Sequence, residues 1–174
     1  MIKSIFIFLI IFTLAVFKTE TISADYFIAE PSAQLKEVRG TKEEDYRIGV
    51  LRNFFEEYNS PLSEYAEHFI STADKYHLDW RLVPAITGIE STFGKRMPQG
   101  SFNAYGWANG DYRFSSWETS IEIVSKTLRE KYLNRGATTI EKIARRYAPP
   151  SKTWAGKVKY FMNEIDPLPL EFTI

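Results

Sequence analysis

Residues 89–107 read IESTFGKRMPQGSFNAYGW, and the reading of this stretch decides the rest of the chain. Glu90 stands at the end of an apolar helical run that gives way to a segment rich in glycine and aromatic residues. At about 100° per residue, Glu90 falls roughly 20° from Val83 and roughly 40° from Ile86, on the stripe that the helix sends toward a core. An unpaired carboxylate there is costly to ionise, so its pKa is expected to rise, as a general acid working near neutrality requires. The competing arrangement is a glutamate that leaves the helix end for solvent or pairs with Lys95 or Arg96.

The neighbours of Glu90 favour the first arrangement. Ser91 offers a hydroxyl beside the carboxylate, Phe93-Gly94 gives a sharp exit, and residues 103–107 (NAYGW) bring amides and aromatic faces back. No helical period runs from Gly94 to Ser116. Asn109-Gly110 lies between Tyr105-Gly106-Trp107 and Asp111-Tyr112-Arg113-Phe114, which predicts a β-hairpin. A non-helical stretch this long in a small domain is expected to be functional. Aromatic plates beside Asn, Ser and Gln side chains suit a sugar ring, with its apolar face and many hydroxyls. About half of Phe102, Tyr105, Trp107, Tyr112 and Phe114 are expected only to pack over the hairpin.

Helices flank this segment. The first is expected over Asp45 to Tyr58, with Ile48, Leu51, Phe54 and Phe55 on one side, and Asn59-Ser60-Pro61 breaks it. The second covers Pro61 to Tyr76 with apolar residues at helical spacing. Asp79 caps the third, which carries Trp80, Leu82, Val83, Ile86 and Ile89 and ends at Glu90. Downstream, Ser115…Glu118 and Thr138…Glu141 form capping-box patterns ahead of two more apolar stripes. Trp154, Val158, Phe161 and Ile165 mark the last helix. The expected fold is a mainly α single domain over 45–166, with a small β-hairpin inserted after the helix that carries Glu90.

The 174 residues suit one domain able to bury a core without disulfides, and there is no cysteine. Lys3 precedes an apolar run from Ile5 to Phe12, and small residues Ser23-Ala24 follow, so residues 1–24 read as a secretory signal peptide. Ile22 is not small at the third position before the cut, which leaves an uncleaved membrane anchor as the alternative. Residues 25–44 read as a linker or arm, and 167–174 as a tail. The net charge of zero hides an asymmetry: Asp25 to Trp80 holds 6 basic and 12 acidic residues, whereas Arg81 to Ile165 holds 14 and 7. A positive half of this kind attracts anionic polymers, although solvated helix faces account equally well for most of these side chains.

The blocks Glu90-Ser91-Thr92-Phe93, Ala104-Tyr105-Gly106 and Arg146-Tyr147-Ala148, in this order, resemble the lysozyme-like superfamily. The likeness is to SLT-type lytic transglycosylases and bacterial endo-β-N-acetylglucosaminidase-like domains, and it runs from about Ser60 to Ile165. The resemblance implies a lysozyme-like helical domain in which Glu90 is the acid/base and Tyr147 reaches toward the reacting sugar. The Gly-Leu-Met-Gln block of the transglycosylases is replaced by Tyr105-Gly106-Trp107-Ala108, and no Asn-Ala-Gly follows Tyr147. Both the bond cleaved and the fate of the anomeric carbon therefore stay open.

The expected activity is a secreted or envelope-bound glycosidase acting on peptidoglycan strands, at β-1,4 bonds between N-acetylated amino sugars. Most glycosidases use two carboxylates; Asp111 is the best second one here, with Glu118 next, and a turn-closing role is the alternative for Asp111. Lytic transglycosylases manage with one Glu, because the acetamido group of the substrate assists. Ser91, Asn103, Tyr105, Trp107 and Tyr112 are the expected sugar contacts. The rival reading is a non-catalytic peptidoglycan-binding module. His68 and His77 carry no HExxH motif, so no zinc, other metal or cofactor is expected. No nucleic-acid motif is present, and the chain is expected to act as a monomer.

Overall fold

The computed structural model describes residues 45–167. The expected leader 1–24, the arm 25–44 and all but Pro167 of the tail lie outside the described residues. All described residues belong to one compact unit. Among them are six α-helices and no strand, and no helix is long and apolar enough to cross a membrane.

Helix α1 (Tyr46–Glu57) begins where the Asp45 carboxylate accepts from Arg47 N, and it buries Ile48, Leu51, Phe54 and Phe55. The expected second helix is divided. Residues 63–65 form a 3-10 turn, and α2 (Ala66–Lys75) starts only after it, because Ser60 Oγ takes the Leu62 N–H and bends the chain there. Helix α3 (Leu82–Ser91) is buried at every position from Leu82 to Thr87. Its entry is fixed by Arg81, 3% exposed, whose guanidinium binds Asp79 and also donates to Asp166 O at 2.8 Å. Pro84 is tolerated because it falls in the first turn, where no intrahelical N–H bond is due.

Helix α4 (Trp117–Thr127) continues through a π turn, 128–132, and a 3-10 turn, 133–135, to Gly136. Helices α5 (Ile140–Tyr147) and α6 (Trp154–Ile165) complete the domain. The caps of α4 and α5 sit one residue later than the capping-box patterns suggest. Ser116, not Ser115, accepts from Thr119 N, and Thr139, not Thr138, accepts from Lys142 N. Each site offers two adjacent hydroxyl residues, and the one preceding the first buried side chain (Trp117, Ile140) is used.

Helix α3 is the centre of the packing. It lies chiefly against α6 and also meets α4, while α1 packs on α2 and α6, α2 on α4, and α5 on α6. Just past the end of α3, Phe93 turns inward, 1% exposed, into a ring cluster with Phe54, Phe55, Tyr58 and Phe161. Its ring lies on Gly88, where an added Cβ would come within 2.6 Å of two ring carbons. We predict that Gly88→Ala destabilises the domain by about 1–3 kcal/mol through overpacking, read as a lower midpoint in urea unfolding.

Candidate functional site

The chain reverses abruptly at the end of α3. Thr92, Phe93 and Gly94 take φ of 53°, 57° and 78° in succession, and a left-handed run ends a helix within one turn. Ser91 Oγ secures the reversal: it accepts from Gly94 N at 2.8 Å and lies 3.0 Å from both Thr87 O and Ala104 O. The expected sugar contact at Ser91 is therefore corrected. The residue is 2% exposed, and its hydroxyl joins α3 to the returning loop.

The expected hairpin is likewise corrected. A turn does form at 107–112, with Asp111 N bonded to Ala108 O at 3.0 Å and Tyr112 N to Trp107 O at 3.4 Å, but no strands extend from it. The Asn103 side chain explains why. Its Nδ2 donates to Trp107 O at 2.9 Å and Tyr112 O at 3.0 Å, and its Oδ1 accepts from Trp107 N at 3.1 Å. These are the backbone groups a two-stranded ladder would pair. Asn103, 2% exposed, thus builds the loop while also lining its cleft.

Glu90 is half-buried beside this loop. Its Oε1 accepts the Trp154 indole N–H at 2.7 Å. Its Oε2 faces Gly106, where a Cβ would lie 2.8 Å away, and receives no hydrogen bond among the described residues. Burial raises the Glu90 pKa, and the indole donor opposes that in part. No ion pair joins Glu90 to Lys95 or Arg96; Lys95 Nζ donates to Tyr58 O instead.

Tyr147 completes the surroundings of Glu90. Its ring stacks on Trp154 with centroids 5.1 Å apart and planes at 28°, and its hydroxyl donates to Tyr105 O at 2.7 Å. Burial first, and then the Glu90 charge, hold its phenol pKa well above the ordinary value. At neutral pH the phenol is therefore un-ionised, and its O–H is engaged by Tyr105 O. Its predecessor Arg146 donates to the carbonyls of Lys131, Tyr132 and Arg135, closing the end of α4.

A cleft of about 560 Å³ opens on Glu90, lined also by Arg96, Met97, Asn103, Gly106 and Asp111. Asp111 is thus in the same cleft as Glu90. Glu118 is not: it lines a separate depression with Glu64, Glu67 and His68. Of the expected aromatic contacts, Tyr105 is wholly buried with its hydroxyl 3.5 Å from Ser120 Oγ, so its side chain is core. Trp107 and Tyr112 pack on each other and on Phe114, and Tyr112 is 43% exposed. In the sequence, Trp154 stands out only as one of the apolar residues that mark the last helix. Nothing in the local sequence marks an indole that reaches a carboxylate 64 residues away. Among the described residues, no group of three or more His, Cys, Asp or Glu is placed to hold a metal.

The raised Glu90 pKa has a consequence for stability. A carboxyl whose folded pKa lies above its unfolded one favours the fold below the unfolded value, and that contribution is lost as pH rises through the folded pKa. We expect Glu90→Gln, which does not ionise, to gain in Tm relative to the wild type as pH rises above the usual glutamate value of 4.5. Below that value the difference should fall to its minimum, as measured by thermal melts across pH.

No protein-family model matches the chain, and no curated protein matches it.

Proposed function

We propose that the chain is a peptidoglycan-cleaving glycosidase with a lysozyme-like helical domain, acting on β-1,4 bonds between N-acetylated amino sugars. One observation carries the reading: Glu90 is a half-buried carboxyl of raised pKa, with Oε1 held by the Trp154 indole and Oε2 unoccupied at a polar cleft. A carboxylic acid keeps its proton on the oxygen that accepts no donor, so Oε2 is the acid atom.

In this mechanism Oε2–H protonates the glycosidic oxygen as the bond from that oxygen to the anomeric carbon breaks. The proton leaves with the alcohol, and Glu90 becomes a carboxylate that the Trp154 N–H stabilises. The positive charge at the anomeric carbon is met by the substrate's own acetamido oxygen, as the resemblance implies. An incoming hydroxyl, from water or from the sugar itself, then attacks that carbon and returns its proton to Oε2. Asp111, which lines the same cleft, is the second carboxylate available to position the attacking group. Tyr147 fixes the Trp154 ring and, through Tyr105 O, the loop residue next to Gly106. The leader-like sequence of residues 1–24 supports an extracytoplasmic location.

Glu90→Gln is expected to abolish release of soluble fragments from purified sacculi while the circular dichroism spectrum is kept; retained release would sink the assignment. Mass spectrometry of the wild-type products separates anhydro from reducing ends. A binding module without turnover would co-sediment with sacculi and release nothing even as the wild type. Trp154→Phe tests the held oxygen. The indole lowers the Glu90 pKa, so its loss raises it, and the alkaline limb of kcat/KM, where the acid loses its proton, should move to higher pH. A rate loss of about ten- to hundredfold should accompany the lost alignment. An acidward shift of that limb would contradict the role.

A further inference from the structure

A second depression lies between α3 and α6. Ile89 and Thr153, the residues immediately before Glu90 and Trp154 in the chain, line it. It measures about 630 Å³. Its lining differs in kind from the polar cleft on the loop side. Apolar surface from Ile89, Phe161 and the 56% exposed ring of Tyr160 is flanked by Lys152 and Lys157. The nearby Lys159 is paired with Glu141. The ammonium groups of Lys152 and Lys157, by contrast, make no hydrogen bond or ion pair among the described residues. The floor is left smooth by Gly156, where an added Cβ would meet nothing within 4 Å.

An apolar channel with two unpartnered ammonium groups at its edge is complementary to a short chain that is partly apolar and bears carboxylates. Neutral sugars, which need hydrogen-bonding side chains, match the loop-side cleft better. Under the glycosidase reading, on which this inference rests, the substrate supplies such a chain. Alternate sugars of a peptidoglycan strand carry a short peptide with free carboxylates, attached through a lactyl ether. We propose that the α3–α6 depression binds this acidic peptide branch, with Lys152 and Lys157 pairing its carboxylates and Tyr160 and Phe161 packing on its aliphatic side chains. The strand then lies across Glu90 with its sugars in the loop-side cleft. The enzyme thereby selects peptide-bearing strands over strands stripped of peptide. The volume favours the peptide over a bare lactyl carboxylate, which fills only a small part of it.

The test compares the full chain with Lys152→Ala/Lys157→Ala on three substrates: peptide-bearing strands, strands freed of peptide by an amidase, and uncharged N-acetylglucosamine oligomers. The ratio of kcat/KM on peptide-bearing to peptide-free strands is expected to fall about five- to tenfold in the double variant, as loss of two exposed ion pairs predicts. Raising the salt should shrink the difference, and Lys152→Arg/Lys157→Arg should keep most of the wild-type ratio. An unchanged ratio overturns the proposal. An equal loss on amidase-treated strands also overturns it, because the lactyl carboxylate alone would then be the ligand. If the wild type cleaves no substrate, the glycosidase reading fails, and co-sedimentation of the Glu90→Gln chain with sacculi still reads the groove. Weaker binding on adding the two alanines, with none lost on amidase-treated sacculi, upholds peptide recognition; equal binding overturns it.

Discussion

The hydrogen bond from the Trp154 indole to Glu90 closes a circuit on which the candidate site depends. From Glu90 the contacts run to Trp154, from its ring to Tyr147, from the Tyr147 hydroxyl to Tyr105 O, and from Gly106 back to Oε2. The circuit draws α3, α5, α6 and the returning loop to one point. A hydrogen bond to a charged group contributes about 1.5–3 kcal/mol, and a stacked ring pair about 0.5–1.5 kcal/mol beyond burial. Against these stands the desolvation that raises the carboxyl's pKa. The protonated acid escapes most of that cost and keeps the indole bond to its carbonyl oxygen. Burial thus shifts the balance toward the protonated form and the indole bond toward the carboxylate, with burial the larger effect.

The same site holds an unusual amount of strained backbone. Thr92 and Phe93 are left-handed before Gly94, and Ala108 and Asn109 are left-handed between Gly106 and Gly110. Each non-glycine residue in that region costs of order 1 kcal/mol. Two buried side chains offset the strain by replacing regular pairing: Ser91 satisfies Gly94 N, and Asn103 satisfies three backbone groups of the turn. A tight reversal at Thr92 lets the loop come back over the end of α3. Left-handed glycine at 106 then lets the backbone approach Oε2 with no side chain in the way. A regular hairpin would have carried the loop away from the acid.

How far the sequence reveals this depends on the range of each interaction. The helices are legible because their apolar stripes repeat within a few residues, as in α1 with Ile48, Leu51, Phe54 and Phe55. The angle of Glu90 to Val83 and Ile86 is fixed by the helix itself, which puts it on the core-facing stripe; that it is only half-buried there depends on the loop and on Trp154. The loop was not legible. Asn109-Gly110 is a sound turn signal, and the turn exists, but whether strands follow depends on Asn103, whose amide competes for the ladder. Ser91 and Tyr105 carry polar groups that look available in the sequence, and tertiary packing turns both inward. Trp154 was visible only as part of a stripe, because its partner lies on another helix.

The charge asymmetry gains meaning once the paired cations are set aside. Arg81 is consumed by Asp79, Lys159 by Glu141, and Arg129 and Arg146 by carbonyls at the ends of α2 and α4. These charges hold the fold together and contribute little to an outward field. The side chains of Arg96, Lys152 and Lys157 have no partner among the described residues; Arg96 lines the cleft of Glu90, and the two lysines line the α3–α6 depression. A net charge count averages over both groups and so locates nothing. Pairing narrows the set: Lys131, Arg135 and Arg145 also lack a side-chain partner among the described residues, but they line neither depression. Cations near Glu90 act on it through fields that salt screens within about 8–10 Å, so the surplus of the whole half-chain adds little there.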